Sequence, residues 1–336
     1  MSLESTLRRA WFSRGPLACS LAPLAAGFGA LVALRRALYV RGILRCARLP
    51  VPVIVVGNLA VGGTGKTPLA ILLARELARR GMHPGVVSRG YGRVGGAVRE
   101  VGPRDDAARS GDEPLLIARR TGMPVWIGAD RVAAGRALIA RHPECDVVIS
   151  DDGLQHYRLA RDVEIALVDE RAAGNGWLLP AGPLREPASR LASVDAVVIH
   201  GEGGRAPVPA GPARFSMSLE GSRFFRLDAP GESCTAQDLR GLRLHAVAGI
   251  GAPRRFFDHL ARLGLSFAAH PFPDHHRYSA QDLRFAHCDA ILMTEKDAVK
   301  CAGLTPGQCW VLPVDAVVRP DLADFVVERI DGREAA

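Results

Sequence analysis

Residues 53–68 read VIVVGNLAVGGTGKTP, an apolar run followed by a glycine-rich loop and the start of a helix. Gly62, Gly63 and Gly65 allow the backbone to turn its N–H groups around phosphate oxygens, where a side chain would clash. Lys66 can reach the β- and γ-phosphates of a nucleotide, and the following Thr67 hydroxyl can ligate Mg²⁺. The helix directs the positive end of its dipole at the same anion. This stretch therefore predicts a phosphate loop that binds a nucleoside triphosphate.

Two details of this loop bear on the prediction. The general pattern G-x-x-x-x-G-K-[ST] has a glycine where this chain has Ala60, which counts against the match. Only three of the 43 basic residues are lysine. Because the chain otherwise uses arginine, a lysine at the phosphate position supports the match. The residues predicted to bind the nucleotide are Val61, Gly62, Gly63, Thr64, Gly65, Lys66 and Thr67.

Apolar runs alternate with helical patterns through the first two-thirds of the chain. The predicted strands are 53–57, 85–88, 124–128, 146–150, 164–168 and 196–200, and helices are predicted at 67–80, 114–120 and 131–141. This alternation predicts an α/β fold with a mostly parallel sheet and helices on both faces.

A Gly/Pro-rich linker at residues 201–212 separates this core from the last third of the chain. There, the strands predicted at 244–249, 290–294 and 310–314 indicate a smaller α/β unit. We therefore predict an N-terminal segment (1–48), a phosphate-loop core (49–210) and a smaller substrate or closure domain (211–336).

The composition limits the class of partner. The net charge of +8 over 336 residues favours an acidic ligand such as a nucleotide, a phosphorylated substrate or an anionic membrane. Aromatic residues make up 6% and do not alternate with basic runs, so nucleic acid is disfavoured. The seven cysteines have no C-x-x-C spacing, which indicates a reducing compartment without a zinc or disulfide framework.

Residues 15–34 form an uncharged apolar stretch with arginines on both sides. The stretch is long enough to span a bilayer, but its prolines and glycines make it a poor isolated helix. Three interpretations are open: monotopic or hairpin-like membrane association, a buried helical pair, or a true span. We favour membrane association.

A second apolar strand ends in two carboxylates. Residues 145–152 read CDVVISDD, which puts Asp151 and Asp152 where a phosphate-loop enzyme organises Mg²⁺. A strand-end turn without function is the alternative. The continuation of the chain places the amide of Gln155 and the imidazole of His156 at the same edge.

Several loops carry arginine directly after a predicted strand. Arg89 and Arg93 of the RGYGR loop would present two guanidinium groups to phosphate, and Arg131 follows its strand in the same way. Basic loops are common, so RGYGR is not diagnostic by itself. Residues 178–186 form an apolar loop that ends near Arg185, which suits a hydrophobic substrate with a charged anchor.

Two acidic residues, Asp112 and Glu113, precede a predicted helix in the sequence GDEP. Taken alone, they are as consistent with a helix cap as with a functional site. Residues 272–278 (FPDHHRY) place one carboxylate beside two imidazoles. Adjacent histidine side chains usually diverge, so this segment favours a general base or a substrate contact over a dedicated metal site.

The segment TEKDAVK ends a later strand with mixed charges. Lys296 is followed directly by Asp297, so the guanine-reading signature N/T-K-x-D is absent from this segment. Its absence favours ATP over GTP.

The chain closely resembles the tetraacyldisaccharide 4′-kinase family, the lipid A 4′-kinases of Gram-negative bacteria. The resemblance extends from the N-terminal apolar segment to about Val314 and is carried, in order, by GNLAVGGTGKTP, SRGYGR, GDEP, ADR, DDGLQH, LPAGPLRE, FPDHHRY and TEKDAVK. A phosphate loop alone is generic, whereas this ordered set is specific. Leu154 is a departure, because an aromatic residue is common at that position of DDG-x-QH.

The resemblance implies transfer of the γ-phosphoryl group of ATP to the 4′-hydroxyl of a tetraacylated glucosamine disaccharide 1-phosphate, giving lipid IV A. It implies that Asp112 accepts the hydroxyl proton and that His275 pairs with or tunes it. Lys66 and Thr67 would serve phosphate and Mg²⁺. The other roles that it implies are metal and water for Asp151 and Asp152, and substrate or phosphate binding for Arg89, Arg93, Glu113, Arg131, Gln155, His156 and Arg185.

Two other classes compete with this interpretation. A phosphate-loop switch or metallochaperone-type NTPase predicts a dimer, a guanine signature or a metal-binding tail, and no apolar N-terminal segment. A kinase of small soluble molecules is compatible with the loop alone. We predict a monomeric lipid kinase at the cytoplasmic face of the inner membrane, peripheral or monotopic, whose partners are the lipid A disaccharide 1-phosphate and the membrane surface.

Overall fold

The computed structural model describes residue 7 and residues 10–169, 174–201, 209–301, 303–304 and 308–334. Most of the linker predicted at 201–212 lies outside the described residues. The helices are α1 (Pro16–Val40), α2 (Lys66–Arg79), α3 (Ala107–Ser110), α4 (Asp112–Thr121), α5 (Arg131–Arg141), α6 (Pro253–Arg262), α7 (Glu295–Ala298) and α8 (Leu322–Glu334).

The strands form one sheet of nine and one sheet of six. The larger sheet contains β1 (Val53–Gly57), β2 (Pro84–Ser88), β3 (Arg99–Glu100), β4 (Val125–Ile127), β5 (Val147–Asp151), β6 (Val163–Asp169), β7 (Ala196–His200), β8 (Ala213–Glu220) and β15 (Asp315–Arg319). The smaller sheet contains β9 (Arg223–Arg226), β10 (Ser233–Thr235), β11 (Leu244–Ala248), β12 (Phe267–Pro271), β13 (Ala290–Thr294) and β14 (Cys309–Leu312).

The larger sheet is mostly parallel, with the order β15-β8-β7-β6-β1-β5-β2-β4-β3. Only the two edge strands, β15 and β3, run antiparallel to their neighbours. Strand β1 lies between β5 and β6, and Val56 of β1 pairs with Asp151 of β5. The loops that follow β1 and β5 therefore emerge side by side at the carboxyl edge, where ligands bind in such sheets.

Both faces of this sheet are covered, as the continuous apolar strands require. One hydrophobic core packs α2, α4 and α8 against the strands, and it contains Leu73, Ile117 and Val326. The second core packs α5 against the opposite face through Val132 and Leu138. The predicted α/β class with helices on both faces is confirmed.

The smaller sheet has the order β10-β9-β14-β13-β11-β12. Its four parallel strands, β14, β13, β11 and β12, are followed by an antiparallel extension through β9 and β10. Helix α6 packs Phe256 and Leu260 into the core of this sheet.

The predicted division at residues 210 and 211 does not follow the division between the sheets. Strand β8 pairs with β7, β15 returns to pair with β8, and α8 joins the core of the larger sheet. The smaller sheet is thus an insertion between β8 and β15. The sequence did not indicate this return because β8 and β15, an antiparallel pair at the sheet edge, bury few of their side chains and are not continuous apolar runs.

Helix α1 is one continuous helix, which excludes the buried helical pair and the hairpin form of membrane association predicted for residues 15–34. Pro16 occupies the first turn, where a proline is tolerated, and Pro23 lies inside the helix. Only 11% of the most apolar 18-residue window is buried, so the segment is neither a hairpin nor a buried helical pair. Within the described part of the chain, α1 is the one helix that is long and apolar enough to cross a membrane.

Candidate active site

The loop between β1 and α2 has the backbone geometry of a phosphate loop. Gly62 and Gly65 have φ values of +122° and +101°, which L side chains rarely adopt. A hydrogen bond within the loop stabilises it: Asn58 Nδ2 donates to Thr64 Oγ1 at 2.9 Å. His200 Nδ1 lies 2.8 Å from the carbonyl oxygen of Thr64, at the end of β7. Lys66 begins the helix directly after Gly65.

Ala60 occupies the position where the general pattern has its first glycine. Its backbone forms an antiparallel bridge with Leu184, and the next residue, Val61, donates its N–H to the carbonyl of Pro183 at 2.9 Å. The apolar segment LPAGPLRE therefore supports the loop from one side. An extended backbone of this kind needs no glycine, which explains the departure.

The two carboxylates after β5 have different environments. Asp151 is buried, its Oδ1 has no hydrogen-bond partner among the described residues, and burial raises its pKa to about 7, with Glu113 and Asp152 acting in the same direction. Burial also disfavours ionisation of Asp152, but Lys66 and Arg185 hold the pKa of that carboxyl well below its usual range. Lys66 Nζ lies 3.7 Å from Asp152 Oδ1, and Arg185 Nη2 lies 2.9 Å from the same oxygen.

Several buried polar atoms on the elements beside this carboxylate pair have no hydrogen-bond partner among the described residues. They include Arg131 Nε, Gln155 Oε1 and His156 Nε2 among the described residues. Burial lowers the pKa of His156 to about 4, with Arg131 adding to the effect, so this imidazole is neutral at pH 7. Burial likewise lowers the pKa of Arg131 to about 10. Buried polar groups are nearly always hydrogen-bonded, so such a cluster indicates the place of a polar ligand.

Asp112 and His275 come together across the two sheets. His275 Nδ1 lies 3.0 Å from Asp112 Oδ2 and 3.1 Å from Oδ1, although 163 residues separate them in the chain. The cap of α4 is Gly111, and no side chain caps this helix. The capping alternative for Asp112 and Glu113 is therefore wrong.

The electrostatics of this pair keep the carboxylate ionised. Burial raises the pKa of Asp112, but the hydrogen bond with His275 and the charge of Lys296 outweigh it and bring the pKa to about 2. The same hydrogen bond raises the pKa of His275. His275 and Asp152 also have positive φ values of 59° and 49°, which are uncommon for residues other than glycine and occur where function constrains the backbone.

A cavity of about 480 Å³ lies between the phosphate loop and the smaller sheet. Lys66 and Thr67 line one side, and Gly251, Arg255 and Lys296 line the other. This volume lies within the usual range for a small-molecule site, about 300–1,000 Å³. Arg255 of α6 also pairs with Asp169 at the end of β6, so the walls of the cavity are joined by an ion pair.

Most of the residues named from the sequence lie around the phosphate loop and the neighbouring cavity. Arg89 is close enough to Arg131 to lower its pKa. Arg93 packs against Gly90. Burial lowers the pKa of Arg93, and the charge of Arg99 adds to this effect. The prediction missed Asn58, Arg255 and Lys296. The rarity of lysine was the available signal for Lys296.

A prediction arises from the contact between the phosphate loop and the smaller sheet. A Cβ added to Gly251 would lie 2.3 Å from Gly63 N and 3.0 Å from Gly63 Cα. We expect Gly251→Ala to push the loops apart and to raise the Kd for ATP by about tenfold, as the usual cost of overpacking is about 1–3 kcal/mol. Titration calorimetry measures this change. Gly231→Ala is the control because its Cβ would meet no atom within 4 Å. Equal ATP affinity in both variants would show that the contact plays no part in nucleotide binding.

A phosphate loop after the central strand and paired carboxylates at the end of its neighbour define a phosphate-loop NTPase-type enzyme. The Asp112–His275 pair lies beside Lys296, which lines the same cavity as the loop. Comparison with protein families narrows the class. The family model for tetraacyldisaccharide-1-P 4′-kinase, LpxK, matches residues 17–331. The chain belongs to this family.

Individual members of the family are similar to this chain over almost its whole length. The chain is 55% identical to the tetraacyldisaccharide 4′-kinase of Dechloromonas aromatica, covering 99% of this chain and 100% of the relative. It is 54% identical to that of an Azoarcus species, covering 97% and 96%. The crystal structure of LpxK from Aquifex aeolicus in complex with ATP superimposes with a TM-score of 0.80 at 30% identity, covering 94% of this chain and 99% of that one.

Proposed function

We propose that the chain transfers the γ-phosphoryl group of ATP to the 4′-hydroxyl of a tetraacyldisaccharide 1-phosphate, with Asp112 as the proton acceptor. Family membership makes the chain an ATP-dependent kinase of lipid A biosynthesis. The observation that supports the assignment of roles is one cavity lined by Lys66 and Lys296, with Asp152 3.7 Å from Lys66 and Asp112 3.8 Å from Lys296.

The donor set suits Mg²⁺, the usual metal of such kinases. Asp151 offers a buried carboxylate oxygen that has no hydrogen-bond partner in the described part of the chain, and hard oxygen ligands are those that Mg²⁺ prefers. Thr67, Asp151 and Asp152 would hold the ion. When bound, Mg²⁺ supplies neutralisation of charge on the β- and γ-phosphates.

The phosphate loop and the cations around it orient the nucleotide. The backbone N–H groups of residues 62–67 would surround the β- and γ-phosphates, and Lys66 would stabilise the negative charge on the phosphoryl group during transfer. Asp112 lies ionised beside His275 and would accept the proton of the attacking hydroxyl, while His275 fixes the direction of the carboxylate. Phosphoryl transfer needs mainly this positioning and charge neutralisation.

The polar groups with missing partners support a second subsite for the acceptor. Arg131 is close enough to Asp151 and Asp152 for their charges to act on it, and Gln155 Nε2 donates to the carbonyl of Asn58 at 3.1 Å. Arg185 is held by Asp152 and Asn58. We assign these side chains to the sugar and phosphate groups of the acceptor. Arg89 and Glu113 remain candidates at the edge of this subsite, and Arg93 would need to turn toward it.

The experiment is an incubation of the full chain with ATP, Mg²⁺ and the disaccharide 1-phosphate, followed by thin-layer chromatography of the lipids. A more anionic lipid product supports the proposal. Hydrolysis of ATP without a new lipid contradicts it.

Helix α1 is the proposed contact with the membrane. Its outward side exposes Leu17, Leu24, Leu31 and Leu34. The opposite side packs on the acceptor subsite: Tyr39 stacks on Tyr157 with ring centroids 5.9 Å apart, and α1 also contacts Leu178. Because contacts at Gly29 and Tyr39 hold one side of α1 on the protein, we propose that the helix lies in the interface of the cytoplasmic leaflet and does not span the bilayer.

A triple substitution on this surface tests the membrane contact. Leu17→Gln/Leu24→Gln/Leu31→Gln should lower sedimentation with anionic vesicles about tenfold or more and raise KM for the lipid, because burying one leucine contributes about 1.5–3 kcal/mol. The Kd for ATP should not change. Leu242→Gln, an exposed leucine in the other unit, is the control. A folded triple variant that binds vesicles and lipid like the parent would refute the membrane contact.

A further inference from the structure

Lys296 is the centre of a group of carboxylates between the two sheets. It lies on α7, which follows β13 of the smaller sheet, and its side chain is only 17% exposed. Its Nζ is 3.0 Å from Glu113 Oε1, 3.5 Å from Asp274 Oδ1 and 3.8 Å from Asp112 Oδ2. One buried cation of the smaller sheet thus contacts the start of α4 and the loop that carries His275.

The residue beside Lys296 holds the other end of the same helix. Glu295 accepts a hydrogen bond from Arg120 Nη1 at 2.5 Å, near the end of α4. Adjacent residues of α7 therefore hold both ends of α4, but only Lys296 is near Asp112. This arrangement provides a matched pair of contacts, one beside the reacting group and one remote from it.

The charges that face Asp112 come from several elements. His275 and Asp274 lie on the loop after β12, Lys296 and Lys300 lie at α7 and directly after it, and Glu113 is next in the chain. Burial lowers the pKa of Lys296, but Glu113, Asp112 and Asp274 raise it far more, so the ammonium stays charged. The same ammonium lowers the pKa of both Asp112 and His275.

We propose that Lys296 is a positioning residue of the phosphoryl transfer: it holds the carboxylates of Asp112, Glu113 and Asp274 together across the two sheets and keeps Asp112 available as the proton acceptor. The inference rests on the proposed role of Asp112. An opposite charge within about 4–6 Å lowers a carboxyl pKa by about 1–3 units. Without Lys296, the Asp112–His275 pair should therefore bind its proton at higher pH.

The test compares kcat/KM as a function of pH in the full chain and in three variants. In Lys296→Met, we expect the acid limb to move to higher pH by about one unit. Lys296→Arg should restore the limb toward that of the parent. Glu295→Gln, which loosens α4 at its remote end, should leave the limb in place even if it lowers the rate. A lower rate with an unmoved limb in Lys296→Met would reduce Lys296 to a structural ion pair and overturn the inference.

A second measurement does not depend on catalysis or on Lys296→Met folding. The imidazole of His275 can be titrated by NMR in the parent and in Lys296→Gln, which keeps a polar group near Glu113. Its midpoint should rise in the variant, and an unchanged midpoint would overturn the inference. If Asp112→Asn keeps the parent rate, the proposed base role fails, whereas the His275 titration still reports the effect of Lys296.

Discussion

Replacing Lys66 with alanine is expected to lower kcat by about a hundredfold or more. Loss of one preorganised group at the reacting centre typically costs this much. Lys66 follows the left-handed Gly65, and its Nζ lies 3.7 Å from Asp152, beside the cavity. Removing it also leaves Asp152 without one of the cations that compensate its charge. Steady-state kinetics with saturating ATP measure the effect.

The matched control removes a cation from the same helix without touching the loop. Arg79 is 72% exposed and pairs with Glu76 on the surface of α2. Arg79→Ala should therefore keep its kcat, because exposed ion pairs contribute little. Near-parental turnover in Lys66→Ala would remove the phosphate loop from the mechanism.

Replacing Asp112 with asparagine should lower kcat by about 10²–10⁴, the usual contribution of general base catalysis, with KM for ATP little changed. The substitution keeps the shape of the side chain and removes its basicity. Because His275 lies 3.0 Å from Asp112, the two should act as a unit. The losses in Asp112→Asn and His275→Ala should then be strongly non-additive in the double variant.

Additive losses would show that the two residues act separately, and a parental rate in Asp112→Asn would end the base assignment.

The direction of the change in activity with pH follows from the charge of Asp112. A carboxylate with a pKa of about 2 is ionised above that value, so activity should be lost as pH falls through the titration of the Asp112–His275 pair.

The fold could be predicted where the sequence pattern is local. Buried parallel strands such as β1, β5 and β7 are continuous apolar runs, and each was predicted within one or two residues. The return of β15 to the larger sheet was not predictable, because it depends on pairing with β8 about a hundred residues earlier. The helicity of α1 was underestimated. Its prolines and glycines reduce helix propensity, but packing against Tyr157 and Leu178 stabilises the helix.

The residues of the site also divide into those that local sequence pattern predicts and those that depend on distant contacts. Lys66 and Thr67 begin the helix after β1, and Asp151 ends the adjacent strand β5, so strand order places them together at one edge. The contact between Asp112 and His275 joins the two sheets, and only the family resemblance suggested it. Lys296 and Arg255 were missed because their partners lie on other elements and no spacing in the chain connects them.

The most direct test of the central claim is transfer of label from ATP carrying ³²P at the γ-phosphate. The full chain should move the label to the disaccharide 1-phosphate and leave an otherwise identical 4′-deoxy disaccharide unlabelled. Asp112→Asn should slow the labelling but retain binding of ATP. Labelling of the 4′-deoxy lipid, or release of labelled inorganic phosphate with no labelled lipid, would contradict the account.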